Sequence, residues 1–340
     1  MKDYFITMAS VEDEKDIMEF IDQEWSKNHI LAVNKELFEW QYRRGNQIQF
    51  VLAKSQSDKK IIAILGFIMY GDSLKEDIML ALWKALKGKS PFLGVELLEY
   101  LIQKTEGRVS CNGINLKTTK VIYEFMGFQV DCMKHYYRLA DKQEYKIAKI
   151  HNKKIPILRY HYNSKLIQIK TKEELEENFN WDYYNNIEYF PHKSKEFIIH
   201  RYLNHPIYDY KIMAIIEGTK TKSTSFFVMR EIKIEGISIL RIVDWIGEIE
   251  KILYLAEHVD KLLEEYDAEY IDFLEGGIED EIMKKAGFIE NKKEDGNILP
   301  NYFEPFECSN VQIWYSTKYK SKFAIFKADG DQDRPNLYKE

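Results

Sequence analysis

Only three cysteines occur in the 340 residues, Cys111, Cys132 and Cys308. Their number is odd and their spacing fits no metal-ligand pattern. That excludes a disulfide framework and points to reduced thiols in a cytosol. No apolar run approaches the roughly 18 residues needed to cross a bilayer. The N-terminal stretch lacks the basic, apolar, small-residue order of a signal sequence. A cytoplasmic protein without a membrane partner is therefore expected. Positive charge is not in excess either: 49 Lys and Arg stand against 55 Asp and Glu, a net charge of −6. This argues against nucleic acid as the main partner.

What is present suits a soluble globular protein, with 45% hydrophobic and 31% charged residues. The length allows two cores, because single cores stop growing before about 300 residues. The 23 Tyr and 19 Phe suit core filling or stacking against a ligand ring.

The stretch Ile78–Phe128 organises the rest. Ile78 to Leu86 is a near-continuous apolar run of strand length, expected to be buried on both faces. It enters Lys87-Gly88-Lys89-Ser90-Pro91-Phe92-Leu93-Gly94, rich in glycine and lysine. A helix follows, with Leu93, Leu97, Leu98, Leu101 and Ile102 on one face. Such a loop offers backbone N–H groups at the positive end of a helix dipole, an anion site to which the lysines add charge. A solvated strand–helix turn is the plain alternative. A second strand, Arg108 to Cys111, and a helix from Asn115 carrying Val121, Ile122, Phe125 and Met126 complete the stretch, which ends at Gly127-Phe128.

This order, closing on Tyr123-Glu124-Phe125-Met126-Gly127-Phe128, resembles the GCN5-related N-acetyltransferase family over roughly residues 4–139. The family's usual Arg/Gln-x-x-Gly-x-Gly/Ala is absent, and Lys87 and Gly94 are its nearest counterparts. The resemblance implies an acetyl-CoA site with the pyrophosphate on the amides of Gly88 to Val95. Its coenzyme-binding residues would be Leu86, Lys87, Gly88, Lys89, Ser90, Phe92, Leu93, Gly94, Val95 and Asn115, with Asn115 alternatively a helix cap. It assigns Tyr123 the role of acid toward the leaving thiolate; packing of its ring on the sheet is the competing reading. The general base is not identified, and Glu39, His192 and Asp244 are positional guesses.

Before this stretch come a strand at Tyr4–Met8, a helix after Ser10, and a second helix after Asn34. A meander follows from Phe50 to Met69. Later, Leu37–Arg43 is echoed by Phe197–Tyr202, Phe67-Ile68-Met69 by Phe227-Val228-Met229, and Gly127-Phe128 by Gly287-Phe288, each at an offset of about 160. The expected fold class is therefore α/β (α+β), with two tandem acyl-CoA N-acyltransferase-like domains. Each would be a mixed twisted sheet flanked by helices. Residues 1–140 would bind the coenzyme, 141–189 would connect, with a strand at Ile155–Leu158, and 190–340 would be a second copy. In that copy Gly247-Glu248-Ile249-Glu250-Lys251 replaces the lysine-bearing loop, and its carboxylates would repel a pyrophosphate.

Two C-terminal stretches stand out. Leu299–Phe306 is an aromatic loop bracketed by prolines, and Asp329, Asp331, Asp333 and Arg334 follow a short strand, Phe323–Phe326. The aspartates lack the glycine and glutamate of an EF-hand loop, so no metal is expected. Both stretches are similar to the C-termini of tandem acetyltransferase-like proteins encoded with bacterial surface-polysaccharide genes. That resemblance implies an acceptor site using Tyr302, Glu304, Asp329, Asp331, Asp333 and Arg334. The implied substrate is a small amine, in particular a nucleotide-linked amino sugar. An aminoacyl transferase using charged tRNA and a non-catalytic binding module are the alternatives, and a homodimer is left open.

Overall fold

The computed structural model describes every residue except Met1, Lys89, Glu106, Gly107, Ile157, Arg159, Tyr160 and 337–340. The chain forms two units, and neither is a contiguous half. The first comprises Met1–Asp131, Trp314–Lys318 and Gly330–Glu340; the second comprises Cys132–Ile313 and Tyr319–Asp329. This differs from the expected division at 140 and 189.

The first unit opens with β1 (Tyr4–Ser10), then α1 (Glu14–Phe20), α2 (Ile30–Val33) and α3 (Lys35–Tyr42). Asn34 caps α3, its Oδ1 accepting from Leu37 N at 3.0 Å. Strands β2 (Arg43–Arg44), β3 (Gln47–Ser55), β4 (Ile61–Met69) and β5 (Ile78–Ala85) follow. Then come α4 (Leu93–Lys104), β6 (Val109–Asn112), α5 (Lys120–Phe125) and β7 (Gln129–Cys132). β4 reads as an unbroken apolar run, as does Phe50 to Ala53 of β3, because both faces of the sheet are covered. Phe50 packs on Phe38 and Tyr42 of α3 at ring distances of 6.0 and 4.7 Å, while Leu65, Phe67 and Leu80 pack with Leu93, Leu97, Leu98 and Leu101 of α4. The apolar face expected on α5 is corrected: only Tyr123 is buried, and Val121 and Phe125 are 71% and 87% exposed. A helix of six residues has too little face for a stripe and docks through one ring.

The second unit contains β8 (Lys134–Leu139), β9 (Ser164–Ile169), α6 (Lys172–Asn178), α7 (Trp181–Tyr184) and α8 (Lys195–Ile198). It continues with β10 (Lys211–Glu217), β11 (Ser225–Ile234), β12 (Ile237–Gly247), α9 (Val259–Glu265), β13 (Ala268–Gly276), α10 (Asp280–Lys285) and β14 (Ile289–Glu290). A hairpin of β15 (Tyr302–Phe303) and β16 (Phe306–Glu307) precedes β17 (Trp314–Thr317) and β18 (Ile325–Phe326). The strand expected at 155–158 does not form at Ile155, Pro156 or Leu158, and Ile157 lies outside the described residues.

The two large sheets are built alike. The first runs β1-β3-β4-β5-β6-β17-β7 and the second β14-β8-β13-β12-β11-β10-β9. Leu80 pairs with Cys111 across parallel β5 and β6, and Leu240 pairs with Ile271 across parallel β12 and β13, 160 residues on at both positions. The bounds of α5 and α10 are also 160 apart, and each helix ends at a left-handed glycine, Gly127 (φ 81°) and Gly287 (φ 83°). The echo at Phe67 and Phe227 is not structural. Leu80 faces Phe67, whereas Leu240 faces Glu231, so that hairpin is out of step by four residues.

Each half also lends a strand to the other unit. β8, at the end of the first half, pairs with β13 through Tyr137↔Asp272. β17, near the end of the second half, pairs with β6 through Tyr315↔Asn112 at the corresponding place. This reciprocal exchange is why the boundary at 140 fails.

Candidate active site

In the first unit, β5 and β6 pair only at Ile78↔Val109, Met79↔Ser110 and Leu80↔Cys111. β5 then runs on to Ala85 against β4 alone, with Leu65↔Trp83 and Ala63↔Ala85. β6 instead turns toward β17, where Gly113 N and Ile114 N both donate to Trp314 O at 2.9 Å. A parallel pair that parts after three residues leaves one backbone edge of β5 beyond Leu80 without a strand partner among the described residues.

The open edge leads into the start of α4. Gly88 takes φ 77°, a value that favours glycine. Phe92 occupies the cap position without a side-chain hydrogen bond and is 66% exposed. Leu93 N donates to Ser90 O and Glu96 N to Phe92 O, while the amides of Gly94 and Val95 have no acceptor within the helix by its geometry. Gly94 packs close to Trp83: a Cβ there would stand 3.2 Å from Trp83 Nε1, a tight contact that the glycine avoids. Lys87 lies in the turn, and Lys89 lies outside the described residues.

Trp83 meets Tyr123 edge-on at 5.5 Å, and Tyr123 meets Phe128 at 5.3 Å. Tyr123 is 2% exposed, and its side chain hydrogen-bonds Cys111. Burial pushes the phenol well above its ordinary value, and Cys111 adds to this. A phenol that holds its proton so tightly acts as a hydrogen-bond donor, not as a strong acid. Burial likewise pushes the Cys111 thiol up to about 12, with Asp331 adding to the effect and the Tyr123 hydrogen bond opposing it. Asn115 does not cap α5, which starts at Lys120 with Thr119 at its cap position; it folds the preceding turn, its Oδ1 accepting from Lys117 N at 2.9 Å and its carbonyl from Thr119 N at 2.9 Å.

The six residues expected to form one acceptor site fall in separate units. Tyr302 and Glu304 lie on or beside the β15–β16 hairpin of the second unit, as Asp329 lies in that unit. Asp331, Asp333 and Arg334 belong to the first. There the tail is packed, with Asp331 and Asp333 4% and 2% exposed. Gly330 N donates to Tyr70 OH at 2.8 Å, and Arg334 Nη2 donates to His29 Nε2 at 3.0 Å. Burial, aided by the Arg334 charge, pushes His29 down to about 4, so it is neutral; Asp331 opposes this. Among the three guessed bases, Glu39 is paired with Arg43 at 2.8 Å, His192 stacks on Tyr184 at 4.4 Å, and Asp244 is salt-bridged to Lys193 at 2.6 Å. Trp83, Cys111, Tyr70 and His29 were missed from sequence. Trp83 had a signal, as the one indole inside the apolar run from Ile78 to Leu86.

The matching divergence in the second unit is closed. β12 passes its last partner on β13, Ile242↔Phe273, and continues to Gly247. β18 fills the gap through Glu275↔Phe326 and Gly276↔Ile325, and Ala328 N donates to Val243 O at 2.8 Å. Gly277 must be glycine: a Cβ would stand 2.2 Å from Phe323 O, at φ 94°. Lys193, fully buried, lies 2.6 Å from Asp244 and 2.8 Å from Asp329. Burial opposes its charge, but the two carboxylates prevail and raise its pKa. Met283 stands where an offset of 160 from Tyr123 falls, and it too is buried. Among the described residues no group of three His, Cys, Asp or Glu side chains could hold a metal ion, and no helix is long and apolar enough to cross a membrane.

No protein-family model matches the sequence, and no curated protein matches it. Solved structures match in fold. A GCN5-related N-acetyltransferase from Anabaena variabilis covers 92% of this chain and 72% of its own, at 11% identity and a TM-score of 0.50. Saccharomyces cerevisiae N-myristoyltransferase with bound myristoyl-CoA covers 95% and 84%, at 12% identity and a TM-score of 0.48. A GCN5-related N-acetyltransferase from Sphaerobacter thermophilus covers 93% and 96%, at 11% identity and a TM-score of 0.42. At such identities the likeness is one of fold, and the chain has the acyl-CoA N-acyltransferase fold in two tandem copies.

Proposed function

We propose that the protein transfers an acyl group from acetyl-CoA to an amine, and that only the first unit holds the coenzyme. The observation that carries this reading is the open edge of β5 beyond Leu80, which leads to an α4 start without a side-chain cap. A pantetheine arm would use that edge as a strand uses its neighbour. The pyrophosphate would lie on the amides of Gly94 and Val95, beside Lys87, at the positive end of the helix dipole. Leu86, Gly88, Ser90, Phe92 and Leu93 would shape the approach, with Lys89 adding charge. Tyr123 would donate a hydrogen bond toward the departing sulfur. The second unit would be structural, since β18 fills its divergence and Met283 replaces the tyrosine.

The acceptor we favour is an amino sugar, nucleotide-linked, serving surface-polysaccharide synthesis in a bacterial cytoplasm. The packed carboxylates Asp331 and Asp333 with Arg334 in the first unit suit a polar, hydroxyl-rich ligand; Tyr302, Glu304 and Asp329 belong to the second unit, where Asp329 is the buried partner of Lys193. Thermal unfolding with acetyl-CoA, with adenosine diphosphate as the control, tests the coenzyme site. A ligand that binds the native state alone must raise the transition, by about 2.7 kcal/mol at 100 times its Kd. A rise that Lys87→Ala diminishes is expected. No rise at millimolar acetyl-CoA would refute the site.

A further inference from the structure

We propose that Asp331 takes the proton from the attacking amine. The assignment rests on the acyl-transfer reading above and adds to it the base that reading lacks. The tail is anchored on either side of Asp331. Ahead of it, Gly330 is tied to Tyr70, and a Cβ at Gly330 would stand 3.5 Å from Leu80 O and 3.7 Å from Met79 Cβ. Behind it, the Gln332 side chain fills the space over Gly113, where a Cβ would stand 2.1 Å from Gln332 Nε2. Leu80 is the last β5 residue paired with β6, and Gly113 is the first residue after β6. Asp331 therefore sits where the two strands part, close enough for its charge to act on Cys111, the hydrogen-bond partner of Tyr123.

The groups around Asp331 suit a proton acceptor. Arg334 Nη1 lies 3.6 Å from Asp331 Oδ2 and donates to the Asp331 carbonyl at 3.0 Å, so the carboxylate is not tied in a close pair with that guanidinium. Gln332 Nε2 lies 3.4 Å from Oδ1. His29, neutral, accepts from Arg334. Two other carboxylates of this unit are held in ion pairs: Asp77 with Arg108 at 3.0 Å and Glu39 with Arg43 at 2.8 Å. In the step, the amine nitrogen bonds to the thioester carbon and the carbon–sulfur bond breaks. Asp331 accepts the proton that nitrogen sheds and passes it to solvent. The thiolate leaves hydrogen-bonded to Tyr123 and gains its proton from water.

The test measures free thiol released from acetyl-CoA, with water or D-glucosamine as nucleophile, alongside calorimetric binding of acetyl-CoA. Asp331→Asn should slow thiol release about 100-fold or more while leaving acetyl-CoA affinity and the unfolding transition near wild type. Asp331→Glu should restore part of the rate, and formate should rescue Asp331→Ala, which a merely structural residue would not allow. An Asp331→Asn rate within about threefold of wild type would overturn the assignment. So would a rate loss matched by lost coenzyme affinity. A wild-type chain that binds acetyl-CoA yet never speeds thiol release would overturn it too, with the coenzyme site still standing. Failure to bind acetyl-CoA at all would instead bring down the acyl-transfer reading itself.

Discussion

Glu275 lies on β13 without exposed surface. One carboxyl oxygen accepts from Ile278 N at 3.0 Å, and the other has no hydrogen-bond partner among the described residues. Burial pushes this carboxyl up to about 8; Ile278 N and Lys134 oppose the rise, while Asp280 and Glu290 add to it. The folded chain thus holds a proton here that the unfolded chain, near 4.5, has released. Its contribution is full below about pH 4.5 and is lost as pH rises through 8. His29 has the opposite sign: with its folded value near 4 and an ordinary value of 6.5, stability rises with pH across that interval. Denaturant midpoints measured from pH 6.5 to 9 should therefore fall with pH, and Glu275→Gln should flatten the slope. An unchanged slope in that variant would remove Glu275 as its source. Nothing in the sequence singled out Glu275, because burial of one carboxyl depends on neighbours far away in the chain.

At the scale of elements, β18 owes its place to charge as much as to strand pairing. Asp329 accepts from Phe326 N at 2.7 Å and is held by Lys193, which also holds Asp244; Tyr202 donates to Asp244 as well. Lys193→Met would leave two buried carboxylates facing each other without a cation. It should cost about 3–5 kcal/mol and speed amide exchange at Phe326 and Ala328. A loss below about 1 kcal/mol would mean that strand pairing alone holds β18. The α4 start was readable from glycine, lysine and apolar spacing. The reach of α5 was misread, since exposed Val121 and Phe125 mimic the stripe of a buried helix.

At the scale of the whole molecule, two copies of one fold with a single open divergence predict one bound acetyl-CoA per chain. Calorimetric titration that gave two sites would contradict the closure of the second unit by β18. The repeat itself was legible. Gly127 and Gly287 end matching helices, and α3 and α8 start 160 residues apart.

The sequence by itself determined the fold class, the order of strand, loop and helix from Ile78 to Phe128, and the tandem repeat. These follow from local periodicity and from glycine at left-handed positions, which need no distant partner. Only the tertiary structure decided that β8 and β17 change units, that β18 closes one divergence, and that Asp331 stands at the other. Strand exchange swaps one apolar edge for its equivalent, so the pattern of β8 suits either sheet. The burial of Asp331, Lys193 and Glu275 comes from contacts across more than 50 residues of chain, as between Lys193 and Asp244. Such contacts leave no mark on neighbouring residues.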